Sequence, residues 1–319
     1  MHHIIPAITV ATADRLLNSY CIGRRPSWAV LKASGSTIRE YLQGQITQDI
    51  SRLTHQQGIH ACILTPQGKA VSELYVLEGH RDELVLLVPS QSAIKTVARL
   101  RQFLLGHEVC VGVVDELAIY ALQGAHASQG IADFALPESG DSWLTTTRQD
   151  DTDIFVLTMP ADPRGFWVVA NRVLFDAQLK GSDKLTDETE FEAMRIIRGF
   201  PRFGVEWDES LHPLNANLLD LDGISFDKGC YVGQEVTSRM HWRGTIRKKL
   251  YRVQIDRPPA DIPCPIITQT QVGELRSAAI DPEGQCFGIA LLSVETVESG
   301  ADLHLEDGSH VSILGACHV

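Results

Sequence analysis

The stretch from residue 221 to 250, LDGISFDKGCYVGQEVTSRMHWRGTIRKKL, gathers more chemistry-bearing side chains than any other part of the chain. Cys230 sits between Gly229 and Gly233, and glycines there permit a tight turn with exposed backbone amides. Thiolate is the nucleophilic form of cysteine, and nearby cations stabilise it. From Lys228 to Lys249, Lys228, Arg239, Arg243, Arg247, Lys248 and Lys249 stand against the single acid Glu235. One reading is a reactive thiol beside an anion trap. The other is a small apolar side chain packed into a turn, with Arg247-Lys248-Lys249 as a solvated face. Tyr231 and Trp242 divide in the same way, between stacking on a planar ligand and filling core.

The rest of the composition bounds these readings. The chain has 319 residues, 44% hydrophobic and 21% charged, with a mean hydropathy of −0.03. Those values describe a globular protein of about two domains. With 40 acids against 28 Lys and Arg, the formal charge is −12. Such a surface argues against general affinity for nucleic acid, so no direct nucleic-acid partner is expected and any anion site is local. No apolar run reaches the roughly 20 residues of a membrane helix. The first twenty residues lack a basic leader region and are interrupted by Pro6 and Asp14, so a cytoplasmic protein without a membrane partner is expected. The seven cysteines are scattered without a C-x-x-C pair, which fits neither a disulfide framework nor a zinc ribbon. One cysteine cannot hold an iron–sulfur cluster, which takes about four thiolates. His55 and His60 have the wrong spacing for a helical metal pair, so no metal is expected. G-x-G-x-x-G and Walker A loops are also missing, so nucleotide binding through them is not indicated.

The elements that must position the segment read as follows. Residues 82–89 (DELVLLVP) form a strand, and 90–106 a helix burying Ile94, Val97, Leu100, Leu104 and Leu105 and ending at Gly106. Strands are expected near 117, 153 and 166. A helix runs from Asp187 to Arg198, with an Asp187–Glu190 capping box, a buried stripe of Phe191, Met194 and Ile197, and a stop at Gly199 and Pro201. Beyond 245 the texture becomes short apolar stretches broken by Pro, Gly and Asp, the pattern of a small antiparallel barrel or sandwich. No internal repeat is evident. The boundary near 241–250 divides the chain into 1–244 and 245–319.

K-G-C-Y-V-G-Q-E (228–235), with G-I-S-F (223–226) before it and Arg239, Arg243-Gly244 and Arg247-Lys248 after it, closely resembles the signature of the YgfZ-type folate-binding proteins. These are relatives of the T-protein aminomethyltransferase of the glycine cleavage system. YLQGQITQDI (41–50), LTPQGKAVSEL (64–74) and RIIRGFPRFG (195–204) resemble three further elements of the family, in its order. The resemblance implies an α+β, aminomethyltransferase-like folate-binding body with a ferredoxin-like portion, closed by a C-terminal antiparallel β-barrel. It implies a tetrahydrofolate-binding accessory protein for biogenesis or repair of iron–sulfur enzymes, including some that modify tRNA. Its partners would be the folate and iron–sulfur client or assembly proteins, and Cys230 would be the functional thiol. A folate carries a flat pterin and an anionic glutamate tail. Arg239, Arg243 and Arg247 are candidates for the tail, and Lys228 and Tyr231 would complete the site. Gln234 and Glu235 would read the pterin or cap the following helix. Gln45, Thr47 and Asp49 would line the same cavity, Asp49 alternatively serving as a cap.

The departures from the transferases bear on activity. Where those enzymes carry a pair of aspartates, this chain has Ser72 and Glu73; where they carry a pterin-contacting glutamate, it has Ile197. Proton handling at a folate nitrogen needs a placed acid or base, so binding without aminomethyl transfer is the leading reading. One-carbon transfer using Glu73 is the alternative. A cysteine hydrolase pairing Cys230 with His241 or His212 lacks an oxyanion element, and a purely structural adaptor would have an empty central cavity.

Overall fold

The computed structural model describes residues 5–149, 152–161 and 163–318. In chain order the first half runs α1 (Val10–Asn18), β1 (Cys21–Arg24), β2 (Trp28–Ser34), α2 (Ile38–Gln43), β3 (Ile59–Leu64), β4 (Ala70–Glu78), β5 (Glu83–Pro89), α3 (Ala93–Arg101) and β6 (Cys110–Val113). It continues through β7 (Leu117–Gln123), α4 (Ala127–Asp133), β8 (Thr146–Arg148), β9 (Phe155–Met159), β10 (Gly165–Asn171), α5 (Arg172–Leu179), α6 (Glu188–Arg198) and α7 (Gln234–Arg243). The last part is β11 (Lys248–Ile255), β12 (Cys264–Ile267), β13 (Gln271–Ile280), β14 (Cys286–Ser293), α8 (Val294–Glu298), β15 (Leu303–Leu305) and β16 (His310–Ala316).

Two five-stranded antiparallel sheets form the body, ordered β3-β4-β5-β2-β6 and β1-β7-β10-β9-β8. In the first, β2, β4, β5 and β6 with helices α2 and α3 make the split β-α-β of a ferredoxin-like unit. The second repeats that order, β7, β9, β10 and β1 taking the same places, with α4 and α5 as its helices. No repeat is visible in the residues because only the layering is shared. Between the sheets, β3 is buried at every residue and β4 at all but its last; covered on both faces, these strands read as continuous apolar runs instead of an alternation. The alternating strands beyond 247 close into a six-stranded barrel, β11-β14-β13-β12-β15-β16, and closure removes the exposed edges that a sandwich would leave.

Helix α6 locks the parts together. Asp187 caps it through the Thr189 amide at 2.9 Å, and Gly199 ends it at φ +81°. The expected reciprocal cap is not made, because Glu190 instead accepts from the Thr9 amide at 3.1 Å. Phe191 and Met194 enter the core between the sheets, while Ala193, Ile196 and Ile197 pack on Ala279 of the barrel. The 90–106 segment is shorter as a helix than its periodicity predicts. It is a 3-10 turn, then α3, ending at Arg101; Ile94 is 74% and Leu105 99% exposed, so only Val97 and Leu100 of the expected stripe are buried.

Asn217 ties the barrel to the preceding loop. Buried at φ +61°, a conformation Asn tolerates, its side chain accepts from the Leu250 amide and donates to the Leu250 and Cys317 carbonyls, each at 2.9 Å. Replacing it strands buried backbone groups, each costing about 1–3 kcal/mol. Urea unfolding should find Asn217→Leu less stable by about 3 kcal/mol or more, and equal midpoints would show that the barrel needs no such tie.

Candidate functional site

Where the two sheets face each other, large aromatic side chains meet without filling the space. Trp28 at the start of β2, Tyr75 on β4 and Trp167 on β10 form a three-sided box, with ring centroids 5.6 Å (Trp28–Tyr75), 4.6 Å (Trp28–Trp167) and 5.4 Å (Tyr75–Trp167) apart. They border a narrow cleft with about 60 Å³ of free internal volume, which Met194 and Arg198 of α6 and Phe200 also line. Strands turn alternate side chains to one face, which is why Glu73 and Tyr75 of β4 reach the cleft together while Ser72, just before them, bonds Ser92 at 2.7 Å elsewhere.

A buried ionic lattice makes one wall. Arg195 binds Glu206 through two contacts of 2.9 and 3.0 Å and Glu192 at 3.0 Å. Arg202 reaches Glu192 at 3.2 Å, and Arg25 bonds Glu192 as well. Burial alone would raise the Glu192 carboxyl; Arg195, Arg25 and Arg202 outweigh it and hold the group down at about 2. Glu73 lacks such pairing. Burial pushes it up to about 7, against the pull of the Phe203 amide that it accepts at 3.0 Å and the more distant Arg202 and Arg195. The cleft thus holds a carboxyl near neutrality beside fixed cations. Arg198, half-buried at its opening, has no ion pair among the described residues.

Two further groups at the box are donors without acceptors: Trp28 Nε1 and Tyr75 Oη are buried with no protein partner. Buried polar groups are nearly always satisfied, so this pair suits a polar ligand that brings acceptors to the aromatic cluster.

The residues that the motifs point to converge elsewhere. The Lys228 ammonium donates to the Gln43, Ile46 and Gln48 carbonyls at 2.7, 2.8 and 2.8 Å. Burial pulls its pKa down to about 8, with Asp49 opposing, and three carbonyl partners favour the charged form. Thr47 donates to the Gly223 carbonyl at 2.6 Å and accepts from the Cys62 amide at 2.8 Å. Asp49 accepts from Ser51 and Gln43, both at 2.9 Å, which is its capping alternative. Gln45 accepts from Arg99 at 3.1 Å. Tyr231 is buried beneath Lys228, 5.0 Å from its ring centroid. Gln234 accepts from the Tyr231 amide at 3.3 Å, ahead of α7, and Glu235 pairs with Arg239 at 2.7 Å. Cys230, Arg243 and Arg247 are exposed.

None of these residues lines the aromatic cleft. The reason is how α7 seats. Gly233 (φ +86°) lies so close to the 64–68 loop that a Cβ would stand 2.7 Å from the Thr65 carbonyl oxygen, and one on Gly68 would stand 2.8 Å from Val236 Cβ. The two glycine motifs therefore close on each other, and α7 covers that loop instead of the cleft. Trp28, Tyr75 and Trp167 carried no distinguishing signal, since an aromatic in a strand pattern reads as core. Arg195, Arg198 and Arg202 do fall within the 195–204 motif. Among the described residues no group of three or more His, Cys, Asp or Glu side chains is placed to hold a metal, and no helix is long and apolar enough to cross a membrane.

No known family profile matches the chain. Among curated proteins, the tRNA-modifying protein YgfZ of Klebsiella pneumoniae (strain 342) is 32% identical over 232 residues, spanning 70% of this chain and 68% of that protein. The protein of the same name from Sodalis glossinidius (strain morsitans) is 28% identical over 240 residues, with coverages of 73% and 71%. Among solved structures, glycine cleavage system aminomethyltransferase T from Bartonella henselae superimposes with a TM-score of 0.83 over 98% of this chain and 90% of its own, at 15% identity, which is a likeness of fold.

The raised Glu73 carboxyl makes a signed prediction. A carboxyl more basic when folded contributes stability fully present below its unfolded value near 4.5 and lost as pH rises through about 7. Glu73→Gln keeps an acceptor for the Phe203 amide and carries no charge. Denaturant melts should find it level with wild type near pH 4.5 and more stable by about 2 kcal/mol at pH 8; a variant that loses stability at pH 8 would mean the carboxylate is favoured there.

Proposed function

This chain belongs to the YgfZ family, and from that premise we propose that it is a tetrahydrofolate-binding accessory protein acting in tRNA modification, where it supports the biogenesis or repair of iron–sulfur enzymes. The single observation that carries the folate half is the aromatic cleft with its unpaired buried donors, Trp28 Nε1 and Tyr75 Oη. The pterin would lie against the Trp28–Tyr75–Trp167 cluster, Glu73 and Tyr75 would meet its polar edge, and Arg198 at the opening would face the glutamate tail. The carbon unit that a reduced folate can carry is the chemistry such a ligand supplies.

The thiol half assigns Cys230 the redox or transfer role toward iron–sulfur client or assembly proteins. Its support is the motif together with exposure: Cys230 is at the surface, as is Cys110 outside the motif, whereas Cys21, Cys62, Cys286 and Cys317 are buried. On this reading the protein has two separate working surfaces, a folate cleft between the sheets and a thiol beside α7. Arg239, Arg243 and Arg247 accompany the thiol.

A second reading, one-carbon transfer, is favoured by one specific observation. Of the three positions at which the transferases carry their carboxylates, Glu73 lines the cleft while Ser72 and Ile197 do not. A carboxyl poised at about 7 suits proton exchange with a bound nitrogen. Glycine-cleavage turnover with a lipoyl carrier, lost in Glu73→Gln, would establish it.

Calorimetric titration with tetrahydrofolate tests the leading reading. Wild type and Cys230→Ala should bind alike. Trp28→Phe, which keeps a ring but removes the indole N–H, should bind about tenfold more weakly, one hydrogen bond in a buried site being worth about 1–1.5 kcal/mol. No binding by wild type removes the folate half. Rescue of a cluster-enzyme defect by Cys230→Ala as well as by wild type removes the thiol half.

A further inference from the structure

The outward face of α7 carries a feature that neither the cleft nor the thiol explains. Trp242 is 71% exposed, whereas Trp28, Trp167 and Trp207 are 7% exposed or less. Its ring is held edge-on against His241, with centroids 4.5 Å apart, and His241 in turn stacks on Phe226 at 4.0 Å and 13°. An indole so exposed leaves most of its apolar surface in water, offset only by its edge contacts with His241 and Phe226. Within seven residues of it along the chain, Arg243, Arg247 and Lys248 are exposed and make no salt bridge among the described residues, while Arg239 and Lys249 are neutralised by Glu235 and Asp220. From Val236 to Ile255 there is no Asp or Glu at all.

We propose that this face binds single-stranded RNA, with Trp242 stacking on a base and Arg243, Arg247 and Lys248 engaging the flanking phosphates. The proposal rests on the tRNA-modification reading above and names the macromolecule it implies. A protein partner would call for an apolar centre depleted of charge around the tryptophan, and the nearest exposed apolar side chain on α7 is Val236, at 40%. An aromatic ring set among unpaired cations is the composition of a single-strand nucleic-acid site. The acidic balance of the whole chain argues against general nucleic-acid affinity, but net charge averages over a surface and this face departs from the average.

The test is fluorescence anisotropy with a labelled oligouridine of about twelve nucleotides, within the usual span of such sites. Three phosphate contacts give a salt slope of about −2, so binding should weaken roughly twentyfold between 50 and 200 mM salt. Trp242→Ala should bind about tenfold or more weakly, and Lys248→Glu should flatten the slope by about one contact. Absence of binding at 50 mM salt, wild-type affinity in Trp242→Ala, or displacement of the RNA by oligoglutamate of equal charge would each overturn it, the last pointing to an acidic protein instead. Trp242 lies outside the cleft, so Trp242→Ala should titrate with tetrahydrofolate as wild type does; loss of RNA binding alone and loss of folate binding alone therefore refute different halves of the account.

Discussion

The arrangement depends on a lattice of buried ions at the junction of α6, the body sheets and the barrel. Glu192 alone is shared by Arg25, Arg195 and Arg202, and Arg195 also carries the fully buried Glu206. Burying such charges is expensive and is recovered only when each finds several partners at good geometry. That condition fixes the angle of α6 and the path of the 200–206 segment, because every partner must be reached at once. An apolar contact tolerates sliding; a bidentate guanidinium does not. The cleft stays open because the wall beside it is set by these distances, and the aromatics opposite cannot collapse onto it.

The same lattice explains why one carboxyl differs from its neighbours. Glu192 and Glu206 take the guanidinium forks, and Glu73, one strand away, receives only a backbone amide. A carboxylate so placed feels burial more than attraction. Of three acids in one region, two thus serve as ion-pair partners that hold structure, and the third changes charge near neutrality.

Much of the fold was legible because it is written locally. Helix α6 announced itself through Asp187, a stripe at three- to four-residue spacing and Gly199; the barrel did so through alternation and turn residues. Helix α3 was read too long because Leu104 and Leu105 keep the apolar rhythm after the backbone has left the helix, and rhythm alone does not say which members face core. The duplicated sheet order was invisible because equivalent strands share pairing and burial but not residues. The site divided likewise. The motifs marked places where backbone geometry is demanding, Gly68 against Val236 and Gly233 against Thr65, and where an ammonium must bind three carbonyls. Those demands fix residue identity as firmly as ligand contact does. The cleft's own residues, a Trp and a Tyr on ordinary strands, satisfy a core pattern equally well, and only the absence of a partner for their polar atoms sets them apart.

The separation of cleft and thiol has a physical consequence for any coupling between them. Residues 41–50 are pinned to the 223–228 loop through Lys228, Thr47 and the Ser225 amide, which donates to the Thr47 carbonyl at 3.0 Å. Cys230 follows that loop by two residues, and β3, whose Cys62 amide donates to Thr47 Oγ1, pairs directly with β4, which carries Glu73 opposite Cys62. Hydrogen bonds and covalent chain therefore link the loop before the exposed thiol to the strand that bears the buried carboxyl. Closely packed sheets deform little, so a shift at one end is carried to the other or not made. Spatial continuity is not itself coupling; it becomes so only if Glu73 has two states, and a group that exchanges its proton near neutrality while buried supplies them.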